Sequence, residues 1–355
     1  MRTVIKIITK IRYKSAACII LSAYLLFCAL AFPQRTAMSV TSALTLGIKT
    51  VVPSVFVFSV AMKMLSPYMC RVLSRFSLLQ KALCVSPGGL CMIFSGMLSG
   101  FPIGAVVFSE LYRGGYISRE EGISLMPFCN NAGAAFLVGG VGIGMAKSAN
   151  VGVILLVAQA LSSMIMLVIT APSRRVMHRG EKAYGGSSSV VKSITQSGMS
   201  MISILSFMAF FSVISDAICA DLHLFGYIEA LLRGALEIGG GLAFLFSSAL
   251  PGRIALSGAI VGFSGISVMM QVSFAAGVDI YRNYFQKKLL MSALCALISS
   301  ALSRIISAAT YLEILGSGAK NAYDTLKFFV MLAIFAAVSS IFAIFVRYIF
   351  GKYLK

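Results

Sequence analysis

Long apolar runs separated by short polar and basic stretches make up most of this chain. The apolar segments fall near residues 15–32, 40–65, 83–108, 123–146, 149–171, 198–219, 226–250, 253–276, 287–311 and 326–350. Several exceed the roughly 18 apolar residues that mark a membrane-spanning helix. Because 59% of the residues are hydrophobic, only 12% are charged and the mean hydropathy is +0.93, a soluble domain is excluded. The pattern predicts an all-α polytopic membrane protein.

Two of the apolar runs contain the same interruption, since residues 95–101 and 257–263 both read Ser-Gly-x-x-x-Gly-Phe. A helix broken at membrane depth is tolerated only where protein or a water-filled cavity satisfies the freed backbone. Breaks at corresponding places in two halves indicate the binding site of a transporter. We therefore expect two duplicated halves with re-entrant helical hairpins and broken helices, the hairpins lying at 83–108 and 253–276. The alternative is a glycine face for close helix packing, which does not explain Pro102.

Charge divides the chain into segments. The net charge is +19, and the basic residues cluster beside the apolar runs, which favours the positive-inside rule and anionic lipid headgroups over nucleic acid. The expected segments are a cytoplasmic basic N-terminus with an uncleaved first transmembrane helix (1–39), a first repeat (40–171), a cytoplasmic basic linker (172–197), a second repeat (198–311), and a final transmembrane helix with a basic tail (312–355).

The side of the C-terminus is left open by the sequence. Arg282, Lys287, Lys288 and the basic tail predict a cytoplasmic C-terminus as flanking charges, whereas a strict inverted duplication predicts the opposite side. The eight cysteines show no C-x-x-C pairing and are expected to be reduced, small hydrophobic residues in packed helices.

Two adjacent amides mark the first half. Ser118 and Glu121 form a capping box that starts a helix, and this helix soon meets Pro127 and then Asn130-Asn131-Ala132-Gly133. Buried amides are costly unless they are hydrogen-bonded. We expect the helix to unwind at 130–133 so that amides and freed backbone face a substrate. The alternative is a polar clamp between helices.

A second polar group follows the second interruption. Ser264 and Gly265 lie at the break, and Ser267 and Gln271 are four residues apart, so they share one helix face. These groups can bind a polar solute. The alternative is a helix patch that is satisfied by neighbouring helices.

Glu237 is the candidate for a coupling proton or cation, because a carboxylate inside an apolar segment is functional by default. An ion pair with Arg233, four residues earlier, is an equally good account. The chain has no H-E-x-x-H motif and only two histidines, so we expect no metal, no cofactor and no enzymatic activity.

These motifs together resemble the sporulation integral membrane protein family YlbJ (stage V sporulation, SpoVV-like), of the nucleoside-recognition or Gate group. The resemblance spans residues 40–310, and its first-half motifs are Gly100-Phe101-Pro102-Ile103-Gly104-Ala105, Glu110-Leu111-Tyr112, Ser118 to Glu121 and Cys129-Asn130-Asn131-Ala132-Gly133. In the second half, Gly262 to Val268 with Gln271 is similar to the family's Gly-Gly-Leu-Ser-Val signature and its following Gln. Ser264 and Ile266 stand where that signature has Gly and Leu.

The resemblance implies a fold related to concentrative nucleoside transporters, in which the two halves are gate repeats with paired hairpins and broken helices. It also implies a role in endospore formation, namely movement of dipicolinic acid from the mother cell toward the forespore across the mother-cell-derived outer forespore membrane. Helix N-termini at hairpin tips carry free N–H groups and partial positive charge, which suits an aromatic dicarboxylate.

The sequence therefore predicts a multi-pass secondary transporter for a small polar anion, working by alternating access. The expected substrate-binding residues are Ser99, Gly100, Pro102, Gly104, Asn130, Asn131, Ser264, Gly265, Ser267 and Gln271. The expected partners are the anionic substrate and membrane lipids, with a homo-oligomer left open. The alternatives are a nucleoside-type solute transporter and a non-transporting membrane scaffold for spore assembly.

Overall fold

The computed structural model describes residues 2–171 and 189–314, and every regular element within these ranges is helical. The elements are α1 (Arg2–Ala31), α2 (Pro33–Leu46), α3 (Val52–Leu73), α4 (Ser77–Leu83), α5 (Pro87–Ser99), α6 (Ile103–Arg113), α7 (Arg119–Cys129), α8 (Ala149–Ile169), α9 (Val190–Asp221), α10 (Gly226–Leu236), α11 (Ile238–Ser247), α12 (Arg253–Phe263), α13 (Gly265–Ala276) and α14 (Tyr281–Ile314), with π-helical segments at Gly47–Val51 and Ala135–Met145. The predicted linker, up to residue 188, and the predicted last transmembrane helix and tail, from residue 315, lie outside the described residues.

Within the described ranges, four helices are long and apolar enough to cross a membrane, or up to seven if each bent helix pair forms one span. The four spans are Ala149–Ile169, Val190–Asp221, Arg253–Ala276 and Tyr284–Ile306. The chain is therefore a polytopic helical membrane protein, as its hydropathy predicted. Helix α9 begins at Val190, inside the predicted linker and before the expected start of the second repeat.

Helices α5 and α6 form a helical hairpin with its turn at Gly100–Pro102. The backbone at Gly96 on α5 and at Gly104 on α6 packs against the same carbonyl oxygen, that of Cys129. Eight residues of a continuous helix span about 12 Å, so this shared contact requires the chain to reverse between the two glycines. Gly100 has a φ of 82°, which favours glycine at the turn. The chain therefore reverses direction at Gly100–Pro102, within the segment 83–108.

The second reversal lies at Glu237, between α10 and α11. The backbone of Gly241 packs directly on the backbone of Gly234, whereas a continuous helix would separate these residues by about 10 Å. Glu237 has an extended backbone, with φ −145° and ψ 121°, and its side chain caps the first turn of α11. A second helical hairpin therefore exists, but it precedes the predicted one along the chain.

The segment 253–276 is a broken helix and not the hairpin that the sequence predicted. Helices α12 and α13 continue as one candidate span, Arg253–Ala276, interrupted at Ser264. The prediction was wrong because the glycines of this segment serve packing: Gly258 contacts Ser299 on α14, and Gly262 contacts the Met291 carbonyl on the same helix. The repeated Ser-Gly-x-x-x-Gly-Phe motif therefore lies in a hairpin in its first copy and in a broken helix in its second.

Two cysteines also depart from the expectation. Cys70 on α3 and Cys91 on α5 form a disulfide with their Cα atoms 4.9 Å apart, because α3 packs on α5. The other six cysteines form no disulfide among the described residues.

Candidate functional site

The first helix break, residues 130–133, lies against the turn of the α5–α6 hairpin. The backbone N–H of Phe101 donates to the Asn131 carbonyl at 2.8 Å. A Cβ atom at Gly133 would lie 2.7 Å from the Ser99 carbonyl oxygen, so only glycine permits this approach. The predicted unwinding at 130–133 is observed, and it packs the break onto the hairpin turn.

Asn130 helps to end helix α7 by replacing a helical hydrogen bond. Its Nδ2 donates to the Met126 carbonyl at 3.0 Å, the acceptor that the backbone N–H of residue 130 would use in a continuous helix. Its Oδ1 accepts from the backbone N–H of Ala105 at 3.1 Å, in the first turn of α6. Asn130 is fully buried and therefore joins the break to the second arm of the hairpin.

Asn131 extends the same network to two other helices. Its Nδ2 donates to the Phe128 carbonyl and to Ser163 Oγ on α8, both at 2.8 Å. Its Oδ1 accepts from Lys288 Nζ at 3.0 Å. Both amides thus have protein partners of the kind that the clamp alternative requires, and they hold the break in place.

The second helix break lies at Ser264 and Gly265, where both residues have positive φ, 71° and 85°. Ser264 Oγ donates to the Val261 carbonyl at 3.1 Å. A Cβ atom on Gly265 would lie 3.3 Å from the carbonyl oxygens of Gly234 and Leu236. The second break therefore packs on the turn of the α10–α11 hairpin, as the first break packs on the turn of the α5–α6 hairpin.

Lys288 on α14 joins the two breaks. Its Nζ donates to the Asn130 carbonyl at 3.1 Å, to Asn131 Oδ1 at 3.0 Å and to Ser264 Oγ at 3.1 Å. The side chain is 1% exposed. Of the ion pairs found among the described residues, none includes Lys288. Lys288 therefore places a buried amino group between the breaks, and its hydrogen-bond acceptors among the described residues are neutral oxygens.

Gln159 on α8 lies beside both breaks, and its two amide orientations bond different ones. In one orientation its Nε2 donates to the Val261 carbonyl at 3.3 Å, one turn before Ser264. In the opposite orientation this bond is absent, and the side chain bonds both the N–H and the carbonyl of Ala132, at 2.9 and 3.1 Å. The second orientation satisfies both ends of the amide, so Gln159, which is 1% exposed, binds the unwound backbone of the first break.

The sequence predictions placed neither Lys288 nor Gln159 at the site. In the sequence, Lys288 has the features of a flanking charge, because Arg282 and Lys287 stand near it. The overlooked signal is a stripe of small or polar residues at helical spacing, Lys288, Ser292, Cys295 and Ser299, which marks the face of α14 that packs on α12. Lys287 lies on another face and donates to the Ser124 carbonyl at 3.2 Å.

Ser267 and Gln271 lie on α13, beyond the second break. They are in contact, with Gln271 Nε2 donating to Ser267 Oγ at 3.1 Å, so the predicted shared face is present. Both residues are buried. Among the described residues, Gln271 Oε1 has no hydrogen-bond partner although it is buried, which makes it an available acceptor.

The predicted residues of the first hairpin have mainly backbone roles. Ser99 Oγ donates to the Ser95 carbonyl in its own helix at 2.8 Å. Pro102 is the N-cap residue of α6, and its carbonyl accepts from the N–H groups of Ala105 and Val106. Gly100 and Gly104 provide the close approach to the first break. These residues shape the turn, and their backbone surrounds the break.

Glu237 is buried, at 4% exposure, and it does not pair with Arg233. Its carboxylate accepts from the backbone N–H of Gly239 at 2.9 Å and from that of Gly240. Arg233 instead forms ion pairs with Asp216 and Glu229. The Arg233–Glu237 pair proposed from the four-residue spacing is therefore wrong, because the chain turns at Glu237 and no helix continues from Arg233 through it.

Comparisons of the chain with protein-family models, with curated proteins and with solved structures find no match. The site consists of two helix breaks, two hairpin turns, and the Lys288 amino group between the breaks.

Proposed function

We propose that this protein is a secondary transporter for a small polar anion, with its substrate site at Lys288 between the two helix breaks. The observation that carries the proposal is the buried Lys288 Nζ, which among the described residues donates to three neutral oxygens and lies 5.7 Å from the centroid of the Tyr284 ring. A buried charge is costly unless it is paired, and a cation at membrane depth is a functional candidate by default. An anionic substrate supplies the missing charge.

The order of elements supports two inverted repeats. Each half has a long helix (α3 or α9), a helical hairpin (α5–α6 or α10–α11), a broken helix (α7 with Ala135–Met145, or α12–α13) and another long helix (α8 or α14). In this scheme the chain crosses the membrane three times between the two hairpins, as the first broken helix, as α8 and as α9. The two hairpins then enter from opposite faces as re-entrant elements, an architecture in which substrate sites lie between the repeats.

Lys288 provides a simple mechanism for alternating access. Its three N–H donors are all used by the two breaks, so it holds the halves together without substrate. A bound carboxylate competes with Asn131 Oδ1 and Ser264 Oγ for these donors, because a charged acceptor adds a Coulomb attraction that the neutral oxygens lack. Exchange of partners loosens the connection between the halves and permits one hairpin to move relative to the other.

The substrate class follows from this chemistry, and its identity follows from the family resemblance. Dipicolinic acid is an aromatic dicarboxylate. It fits a site that has a cation and amide donors and in which, among the described residues, no carboxylate pairs with Lys288. In this proposal the protein moves it from the mother cell toward the forespore across the outer forespore membrane. Facilitated movement down the substrate gradient is the simplest mode, since Glu237 is occupied as a helix cap.

A nucleoside-type solute is the second candidate, and one observation favours it. Gln271 Oε1 is a buried acceptor without a partner among the described residues, and a neutral solute with N–H or O–H groups would satisfy it. In that case Lys288 remains a structural connection between the breaks and does not contact a charged group of the substrate.

Flux measurements in proteoliposomes test both candidates. The purified protein is reconstituted, and uptake of labelled dipicolinate and of labelled uridine is measured against protein-free liposomes. The proposal predicts saturable dipicolinate uptake that excess unlabelled dicarboxylate inhibits and uridine does not. Saturable uridine uptake that dicarboxylate leaves unchanged would favour the nucleoside candidate, and flux of neither solute would favour the non-transporting scaffold.

A further inference from the structure

A cleft of about 600 Å³ lies at the opposite end of α14 from Lys288. It opens where the loop between α11 and α12 meets the far end of α14 and the segment that precedes α8. Arg253, Arg304, Ser300 and Ser303 provide its polar side chains. Lys288 and Arg304 are separated by about 24 Å along a continuous helix, so the cleft is distinct from the central site.

The charged side chains that line this cleft are positive. Two arginines line it, and none of the described residues that line it is a carboxylate. Arg253 Nη1 is positioned by the Ser248 carbonyl at 3.2 Å and the Phe246 carbonyl at 3.5 Å. A guanidinium has five N–H donors in a fixed fork, so these contacts leave donors of Arg253 for a ligand while fixing its orientation.

The start of α12 adds backbone donors to the same cleft. Its first turn, residues 253–255, lines the cleft. The N-cap residue is Gly252, which has no side chain that could accept a hydrogen bond from the N–H groups of this turn. The first N–H groups of a helix have no partners within the helix, and they carry partial positive charge that favours anions. Ser300 and Ser303 on α14 add hydroxyl groups on the facing wall.

We propose that this cleft is a binding site for a phosphate group, carried either by free phosphate or by the headgroup of an anionic lipid. Two guanidinium forks, a helix N-terminus and two hydroxyls supply more donors than a single carboxylate accepts, and a phosphate has enough oxygens for them. This site is independent of the proposed transport, since it uses none of the residues around Lys288.

Binding to the full-length protein in neutral detergent tests the proposal in two arms. The first arm titrates inorganic phosphate by calorimetry. The second arm counts retained short-chain phosphatidylglycerol, with phosphatidylcholine as reference, by native mass spectrometry.

The variants are Arg304→Gln, which leaves the Arg253 contacts to the loop intact, and Arg253→Gln/Arg304→Gln. The charge-matched control is Lys147→Gln, because Lys147 lies near the cleft but does not line it and its Nζ donates to Gly144 O.

The expected result is binding that weakens by about tenfold or more for each arginine removed, as a charged hydrogen bond implies, and that Lys147→Gln leaves unchanged. Loss in the phosphate arm identifies free phosphate as the ligand, and loss in the lipid arm alone identifies the headgroup. Elution volume and melting temperature check that each variant is folded. Wild-type protein that binds neither probe, or binds both equally well without Arg304, would overturn the proposal.

Discussion

Lys288 donates a hydrogen bond to Asn131 Oδ1 at 3.0 Å across 157 positions of sequence. The same ammonium group donates to Ser264 Oγ at 3.1 Å, so one cation touches both helix breaks. In the proposed transporter, this cation supplies the charge that an anionic substrate requires, and the proposal is that the substrate replaces these contacts between the two halves.

Replacing Lys288 by Gln should reduce dipicolinate transport by at least about tenfold, because a charge-assisted hydrogen bond to the substrate is lost. Gln is one bond shorter than Lys but keeps two N–H donors and removes a buried charge, so the protein should remain folded. Initial uptake rates in proteoliposomes, normalised to reconstituted protein, measure the effect.

Lys287→Gln is the matched control for this change, since Lys287 donates to the Ser124 carbonyl on α7 and lies over the Phe128 ring. Equal loss of transport in the two variants would indicate a general charge effect. Unchanged transport in Lys288→Gln would remove Lys288 from the substrate site.

Asn131→Ala should weaken transport by about 1–3 kcal/mol, the range for a buried hydrogen-bonding group that loses its partner. The change removes one acceptor from Lys288 and the donor to Ser163, while the backbone contact with Phe101 remains. Transport and membrane abundance are measured together, with Asn150→Ala, an exposed amide near the start of α8, as the control. Loss of the folded protein in Asn131→Ala would identify Asn131 as a structural clamp only.

Glu237→Gln should leave the pH dependence of uptake unchanged, because Glu237 caps α11 through two backbone N–H groups and has no basic partner in Arg233. Glu237→Ala removes the cap and should lower the free energy of unfolding by about 0.5–2 kcal/mol. Uptake between pH 5 and 8 and thermal unfolding in detergent measure the two effects. A flattened pH profile in Glu237→Gln would instead assign Glu237 to coupling.

Gly241→Ala should destabilise the α10–α11 hairpin by about 1–3 kcal/mol, because the new Cβ atom meets the backbone of Gly234 and one helix must shift. The control is Gly198→Ala in α9, where a Cβ atom meets nothing within 4 Å and alanine favours the helix. Thermal unfolding of both variants in one detergent measures the difference. Equal melting temperatures for the two variants would contradict the close packing of the hairpin arms.

Local sequence predicted the parts of the site that depend on local chemistry. Asn130 and Asn131 end helix α7 by bonding carbonyls of the preceding turn, and Ser118 accepts from the N–H of Glu121, as the capping box requires. The break at Ser264 and Gly265 follows from two residues that both adopt positive φ. Each feature involves residues within four positions of one another, so a pattern in the chain is enough to find it.

The second hairpin and the central cation depend on distant contacts, and the sequence predictions missed both. A glycine motif serves equally well for a turn or for helix packing, and only the contacts of Gly258 and Gly262 with α14 decided for packing at 253–276. Lys288 is adjacent to Lys287 in sequence. Only the packing of α14 against α12 and α8 directs Lys288 toward the two breaks and Lys287 toward α7. The sequence by itself determined a helical membrane protein with breaks near residues 130 and 264. Tertiary structure decided what the breaks face, because a buried charge is stabilised by groups that come from other helices.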